Sequence, residues 1–278
     1  MKLIELNEAV KAKTGLGLSL SKMKAYKTCP NKYFLQYVKK VTIPKSVFNP
    51  KFFKIGQFAH KWIESKITGL DCKFDSTTLT DADKDGVKGN CKAVFENEYI
   101  KNILDAGTFE VEKPFSLNIT PEESDGWEAD STFIKKADFH GYIDLYSKIG
   151  NTLHIIDWKT GKRVTSKDDE TFKQLFLYAK ACQKLDGGSK FKLSFFYVDA
   201  NVGREGKKQF DPIVTMELSL AELDKKIADI LSEALNIPTS KNANAFSATP
   251  GWFCQYCPFF KMLDEDDNKI CEMSSYHK

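Results

Sequence analysis

The 278 residues carry a formal net charge of +3, with 42% hydrophobic and 28% charged side chains, the balance of an ordinary globular chain. No apolar run approaches the roughly 20 residues a membrane-spanning helix needs, which excludes a helical membrane protein. The start, MKLIELNEAVKAKTG, lacks the apolar core and cleavage site of a secretory signal, so a reducing cytoplasm is expected.

Residues 1–61 hold thirteen lysines against Glu5 and Glu8. Such a cluster supplies sequence-independent attraction for a phosphate backbone, although a solvated lysine-rich surface explains it equally well. Arginine is represented by Arg163 and Arg204 alone, so phosphate contacts would be point charges rather than bidentate forks. Within this region SLSKMKAYKTCPNKYFLQYVKK begins with cap-type serines, and Met23, Tyr26, Tyr33, Phe34 and Tyr37 predict helical segments around a break at Cys29-Pro30-Asn31. IGQFAHKWIESKITG predicts a second helix ending at Gly69, with Phe58, Trp62 and Ile63 toward the core and His60 among them. Residues 71–105 read as helical toward their end, through Val94, Phe95, Tyr99, Ile103 and Leu104. Asp81-x-Asp83-x-Asp85-Gly86 opens like a calcium loop, but Lys92 stands where the bidentate glutamate is required, and a solvated acidic turn is expected.

From Glu110 the period changes to two. FEVEKPFSLNI, HGYIDLYSKIG and TLHIIDWK read as consecutive strands, the last two joined by a tight turn at Gly150-Asn151. Residues 170–185 return to helical spacing through Phe172, Leu175, Phe176, Ala179 and Cys182. KFKLSFFYVDA and FDPIVTMELS make another strand pair around a Gly203/Gly206 loop, and SLAELDKKIADILSEAL reads as an amphipathic helix with a Ser219/Glu222 capping box. This order predicts an α/β fold, a single domain over 1–278. It comprises a helical part over 1–105, a core sheet flanked by helices over 106–237, and a cysteine-bearing tail over 238–278.

Asp157 stands thirteen positions after Asp144, and Lys159 two beyond it. Strand alternation points Asp157, Lys159 and Ile155 to one face and Trp158 with Ile156 to the other; on the preceding strand Tyr142, Asp144 and Tyr146 are expected to share a face. The hairpin then sets Asp144 beside Asp157, and a hard divalent cation such as Mg²⁺ or Mn²⁺ would relieve their repulsion. A cation polarising a phosphate, with Lys159 offsetting developing charge, suits phosphodiester hydrolysis. A surface hairpin whose charges merely solvate is the plain alternative, but bulky apolar residues run right up to Asp157.

Taken in order, Leu18-Ser19-x-Ser21…Tyr26-x-x-Cys29-Pro30-x-x-Tyr33…Tyr37, Gly56-x-x-x-His60, Gly141-x-x-Asp144, Asp157-Trp158-Lys159-Thr160 and Gln174-x-x-x-Tyr178 resemble the motifs of the PD-(D/E)XK nuclease superfamily. The closest resemblance is to its RecB-type branch, which includes the CRISPR-associated and AddB-type iron–sulfur exonucleases. The resemblance implies a restriction-endonuclease-like fold and a nuclease in which His60, Asp144, Asp157 and the carbonyl of Trp158 ligate metal and Lys159 is catalytic. Gln174 and Tyr178, one helical turn apart, would grip the substrate near the scissile bond. On its own a histidine on an apolar helix is more often a satisfied core residue. Glu112 is a further acidic candidate that an exposed strand glutamate would explain equally well.

Seven cysteines are many for a reducing compartment, and metal binding is the leading explanation for any clustered subset. Cys254-x-x-Cys257-Pro258 followed by Cys271 gives three thiols suited to zinc or an iron–sulfur group, with Cys29 the candidate fourth. The resemblance implies a 4Fe–4S cluster clasping the chain ends, although the thirteen residues between Cys257 and Cys271 exceed the usual gap. Zinc is the rival metal, with His277 able to replace a cysteine. Cys72, Cys91 and Cys182 read as small buried residues. Thr160-Gly161-Lys162 lacks the glycine spacing of a phosphate loop.

The expected function is a DNA exonuclease acting on single strands or duplex ends in recombination, repair or replication processing, in a bacterium or phage. A structure-specific endonuclease of the same fold and a non-catalytic, metal-stapled nucleic-acid-binding protein are the alternatives. The intact set His60, Asp144, Asp157, Lys159 and Gln174 weighs against the latter.

Overall fold

The computed structural model describes residues 5, 9, 19–43, 50–71, 73–74, 78–120, 125–161, 163, 169–199, 211–260, 262 and 269–271. Cys72, Lys162, the Gly203/Gly206 loop and His277 lie outside them.

Ser19 caps α1 (Leu20–Thr28) by accepting from the Lys22 amide, satisfying one of the donors a helix start leaves open. Cys29 then takes an extended conformation that ends α1 and starts α2 (Pro30–Tyr33), with Pro30 in the first turn, where its missing N–H costs nothing. A wider turn over Phe34–Val38 follows. Helix α3 (Pro50–Thr68) starts five residues before the apolar pattern that signalled it and stops at Gly69, φ +72.

The expected acidic turn at Asp81 is instead the first turn of α4 (Asp81–Glu96). Thr80 and Asp83 cap each other reciprocally there, and the aspartates complement the positive end of the helix dipole. Asn97 ends α4 and caps α5 (Glu98–Asp105) through the Tyr99 and Ile100 amides.

Six strands follow: β1 (Phe109–Ile119), β2 (Trp127–Asp130), β3 (Phe139–Ile149), β4 (Thr152–Lys159), β5 (Lys190–Tyr197) and β6 (Ile213–Ser219). Their order in the sheet is β2-β1-β3-β4-β5-β6, antiparallel throughout except for the parallel pair β4/β5. That one parallel pair requires a crossover, supplied by α6 (Asp169–Asp186). Helix α7 (Leu220–Leu235) closes the series with the Ser219/Glu222 capping box. The β3/β4 turn carries Gly150 at φ +60, a conformation only glycine takes freely in a two-residue hairpin.

The sheet is covered on both faces. One layer packs Leu153, Ile155, Leu193 and Phe195 against Phe172, Phe176, Ala179 and Cys182 of α6 and Ile227 and Leu231 of α7. The other packs Leu145, Ile156, Trp158 and Phe196 against Phe58, Ala59 and Ile63 of α3 and Val94 and Ile100 of α4 and α5. Trp158 is almost wholly enclosed and meets Phe196 edge to face at 5.9 Å, and the burial of one such ring contributes about 2–3 kcal/mol. The architecture is the α/β, restriction-endonuclease-like core expected, a mixed sheet flanked by helices with helical residues ahead of it and cysteines after it.

One expectation about faces fails. Ile143 and Tyr146 pack in the α6/α7 layer, whereas Leu145 packs in the opposite one, so Tyr142 and Tyr146 do not share a face. The cause lies across the ladder at Glu112, whose φ of +51 interrupts the pleat between the pairs Val111↔Leu145 and Lys113↔Ile143.

Candidate active site

Beyond the Leu145↔Ile156 pair, β3 and β4 no longer exchange bridges, and the acidic residues occupy the resulting gap. Asp144 extends one carboxylate oxygen to His60 Nδ1 at 3.0 Å and the other to the Trp158 amide, which donates at 2.7 Å. In an extended strand the N–H and C=O of one residue point to the same side, so the Trp158 carbonyl also turns toward β3. Asp157, 4% exposed, lies one residue before Trp158 and holds the Lys159 ammonium at 2.6 Å. Lys159 in turn donates to Gln174 Oε1 at 3.3 Å, and the Gln174 amide nitrogen donates to the Tyr178 hydroxyl at 2.5 Å. Helix α3 brings His60, β1 brings Glu112, β3 and β4 bring the aspartates and lysine, and α6 brings Gln174 and Tyr178. These elements bring the expected residues to one end of the sheet, but Asp157 stands outside the group of ligand atoms that His60 and Asp144 form, and is tied to Lys159 instead.

Two motif glycines make this approach possible. A Cβ at Gly56 would stand 3.3 Å from Thr160 Oγ1, where α3 crosses the end of β4. A Cβ at Gly141 would stand 3.3 Å from the Phe115 ring and 3.9 Å from the Tyr178 hydroxyl. Both are close-contact glycines rather than turn glycines.

Glu112 belongs to the site as well. Ligand-type atoms of His60, Glu112 and Asp144 lie within 4.8 Å of one another, and this is the one such group among the described residues. Sequence alternation could not single out Glu112, because its left-handed backbone is what turns it toward Asp144.

The electrostatics express a shortage of positive charge. Burial and the neighbouring Asp144 push the Glu112 carboxyl above the usual carboxylate range. Burial and Asp144 do the same to Asp157, against the opposing pull of Lys159 and His60. Burial alone would lower His60, but its hydrogen bond to Asp144 and the fields of Asp144, Asp157 and Glu112 raise it. The Tyr178 phenol is raised first by burial and then by Asp157. Carboxylate oxygens and an imidazole crowded this way suit a hard divalent cation.

Space flanks the cluster on two sides. An open cleft of about 640 Å³ is lined by His60, Glu112 and Thr160, and a cavity of about 430 Å³ by Gln174, Tyr178 and His140. A family model of the PD-(D/E)XK nuclease superfamily matches residues 17–261. The chain belongs to the PD-(D/E)XK nuclease superfamily. No curated protein matches it. As a PD-(D/E)XK protein it is a metal-dependent nuclease whose substrate is nucleic acid. Among the described residues no helix is long and apolar enough to cross a membrane.

Four of the cysteines also come together, away from the acidic residues. Cys29, Cys254, Cys257 and Cys271 line one cavity of about 140 Å³ between the α1/α2 corner and the tail. Each sulfur faces an N–H: Thr249 to Cys29 at 3.5 Å, Gly251 to Cys254 at 3.4 Å, the Asn31 amide to Cys271 at 3.9 Å, and the Phe259 main chain to Cys257. Cys91 and Cys182 are buried elsewhere, as expected of small apolar residues.

Proposed function

We propose that this PD-(D/E)XK nuclease is a DNA exonuclease of the RecB-type branch, acting on single strands or duplex ends in recombination, repair or replication processing. His60, Asp144, Asp157 and the Trp158 carbonyl would hold Mg²⁺ or Mn²⁺, with Glu112 as a further ligand. The cation would supply charge to offset the carboxylates and the electron-rich phosphate during attack by water. In that attack a P–O bond to the water oxygen forms while a P–O ester bond breaks. Lys159 stabilises the charge that builds on the phosphate oxygens, and its hold on Asp157 keeps the carboxylate oriented. Gln174 positions Lys159, and Tyr178 positions Gln174, because each is hydrogen-bonded to the next.

The observation that carries this reading is the chain His60–Asp144 and Asp157–Lys159–Gln174–Tyr178 beside an open cleft. The test is hydrolysis with Mg²⁺ or Mn²⁺ of oligonucleotides labelled at either end, alongside a closed circle. Progressive shortening from one end with an intact circle is expected. A nicked or linearised circle supports the structure-specific endonuclease instead.

Among the cysteines a 4Fe–4S cluster on Cys29, Cys254, Cys257 and Cys271 accounts for the donor set better than zinc. Tetrahedral zinc at about 2.3 Å from each sulfur brings the sulfurs to about 3.8 Å of one another. No three of these sulfurs lie within 4.8 Å among the described residues. N–H groups aimed at every sulfur are the means by which proteins stabilise cluster thiolates. Brown protein from anaerobic purification is expected, and colourless protein with one zinc per chain overturns the assignment.

A further inference from the structure

Between β2 and β3 a short loop lifts Phe133 into solvent, and its ring lies parallel to that of Tyr142, 5.2 Å away at an interplanar angle of 10°. Phe133 is 42% exposed and Tyr142 46%. His140 meets Phe133 edge-on at 4.8 Å, completing a ridge of three rings. Two exposed rings stacked on each other bury little surface and stabilise the fold little.

The backbone beneath them is nevertheless fixed with care. Ser116, wholly buried in β1, donates to the Thr132 carbonyl at 2.7 Å and accepts from the Ile134 amide at 2.6 Å. Those two bonds bracket Phe133 and hold its ring over Tyr142. Asp138 accepts from the Ile119 amide at 2.9 Å and pins the far end of the loop. Lys135 and Lys136, both exposed, follow Phe133 after Ile134.

The position ties the ridge to the site. Tyr142 precedes Asp144 by two residues, about 7 Å along the strand, or about two stacked-base spacings of 3.4 Å. His140 also lines the cavity that Gln174 and Tyr178 share. A ridge of exposed rings with lysines at its foot suits a π-face joined to a phosphate.

We propose that the Phe133–Tyr142 stack is a platform for an unpaired base of the nucleic-acid strand being cut, one or two nucleotides from the phosphate at Asp144. This rests on the reading of Asp144 as part of the nuclease centre. Stacking here is indifferent to base identity and selects single-stranded over fully paired substrate, since a paired base has no free face to offer.

The test uses the full chain in EDTA, so that cleavage does not intervene, and single-stranded DNA carrying 2-aminopurine at successive positions. Quenching at one or two positions is expected with the unaltered protein. Phe133→Ala and Tyr142→Ala should each abolish that quenching and weaken single-strand binding by roughly 5- to 150-fold. Phe133→Trp should restore both. Melting temperatures of all variants check that folding is intact. Unchanged quenching in both alanine variants, with cleavage by the unaltered protein intact, overturns the platform and leaves the nuclease reading standing. Absence of both binding and cleavage in the unaltered protein overturns the two together.

Discussion

The main-chain N–H of Trp158 donates to a carboxylate oxygen of Asp144 across 2.7 Å, at the point where β3 and β4 part. The indole of the same residue is anchored in the core against Phe196. The acidic centre is therefore built on a buried ring: Asp144 is aimed by a backbone that Trp158 cannot move without unpacking one layer of the protein.

Lys159→Ala should lower turnover by about 10²- to 10³-fold while leaving oligonucleotide affinity nearly unchanged. Asp157→Ala should do at least as much. Single-turnover cleavage and a binding isotherm in EDTA separate the two quantities. Full-rate cleavage by both variants would remove the basis of the mechanism.

Glu112 offers a two-sided prediction. Its left-handed backbone costs roughly 1–2 kcal/mol in a residue with a side chain, and its carboxylate adds repulsion against Asp144. Glu112→Gly should therefore raise stability by about 1 kcal/mol in denaturant melts. The same variant should need at least about tenfold more Mn²⁺ for half-maximal cleavage.

Lys180, 2% exposed in side chain, rests between Asp125 at 3.1 Å and Asp224 at 3.3 Å, and Lys184 reaches Asp125 at 2.9 Å. Burial alone would raise the Asp125 carboxyl, but Lys184 and Lys180 outweigh it and hold it below the usual carboxylate range. A depressed carboxyl stabilises the fold fully above its unfolded value, about 3.9, and less as pH falls through the lower folded value. Asp125→Ala should cost about 1 kcal/mol at pH 7, because Lys180 loses one partner but keeps Asp224, and solvent screens the partly exposed Asp125. The gap to the unaltered protein should close as melts are taken from pH 5 toward pH 2.

Cys254→Ser should lower the melting temperature more than it lowers turnover per folded molecule, since metal binding and folding are coupled at such centres. Loss of visible absorption together with the stability decrease checks it. A colour unchanged by the substitution would separate Cys254 from the group.

Much of this was legible because local and global signals agree. β1, β4 and α7 begin and end where alternation, the Gly150 turn and the Ser219 cap placed them. β2 was not legible: Trp127–Asp130 is four residues long with one fully buried side chain, too short to show a period. α4 was missed at its start because aspartates are poor helix formers in general yet favourable in a first turn. Within the site, motif order gathered His60, Asp144, Asp157, Lys159, Gln174 and Tyr178. Glu112 could be named only as one acidic candidate that an exposed strand residue explained equally well, and the exposed face of Tyr142 escaped, because the left-handed backbone at Glu112 breaks the alternation on which the reading depended.

The corner at Cys29 has a spatial consequence. Helix α1 leads into it, Lys27 near its end is paired with Glu170, and Glu170 stands one turn before Gln174 on α6. The sulfur-lined corner and the glutamine beside Lys159 are thus separated by one exposed ion pair and one helical turn, so the two ends of the chain meet next to the chemistry.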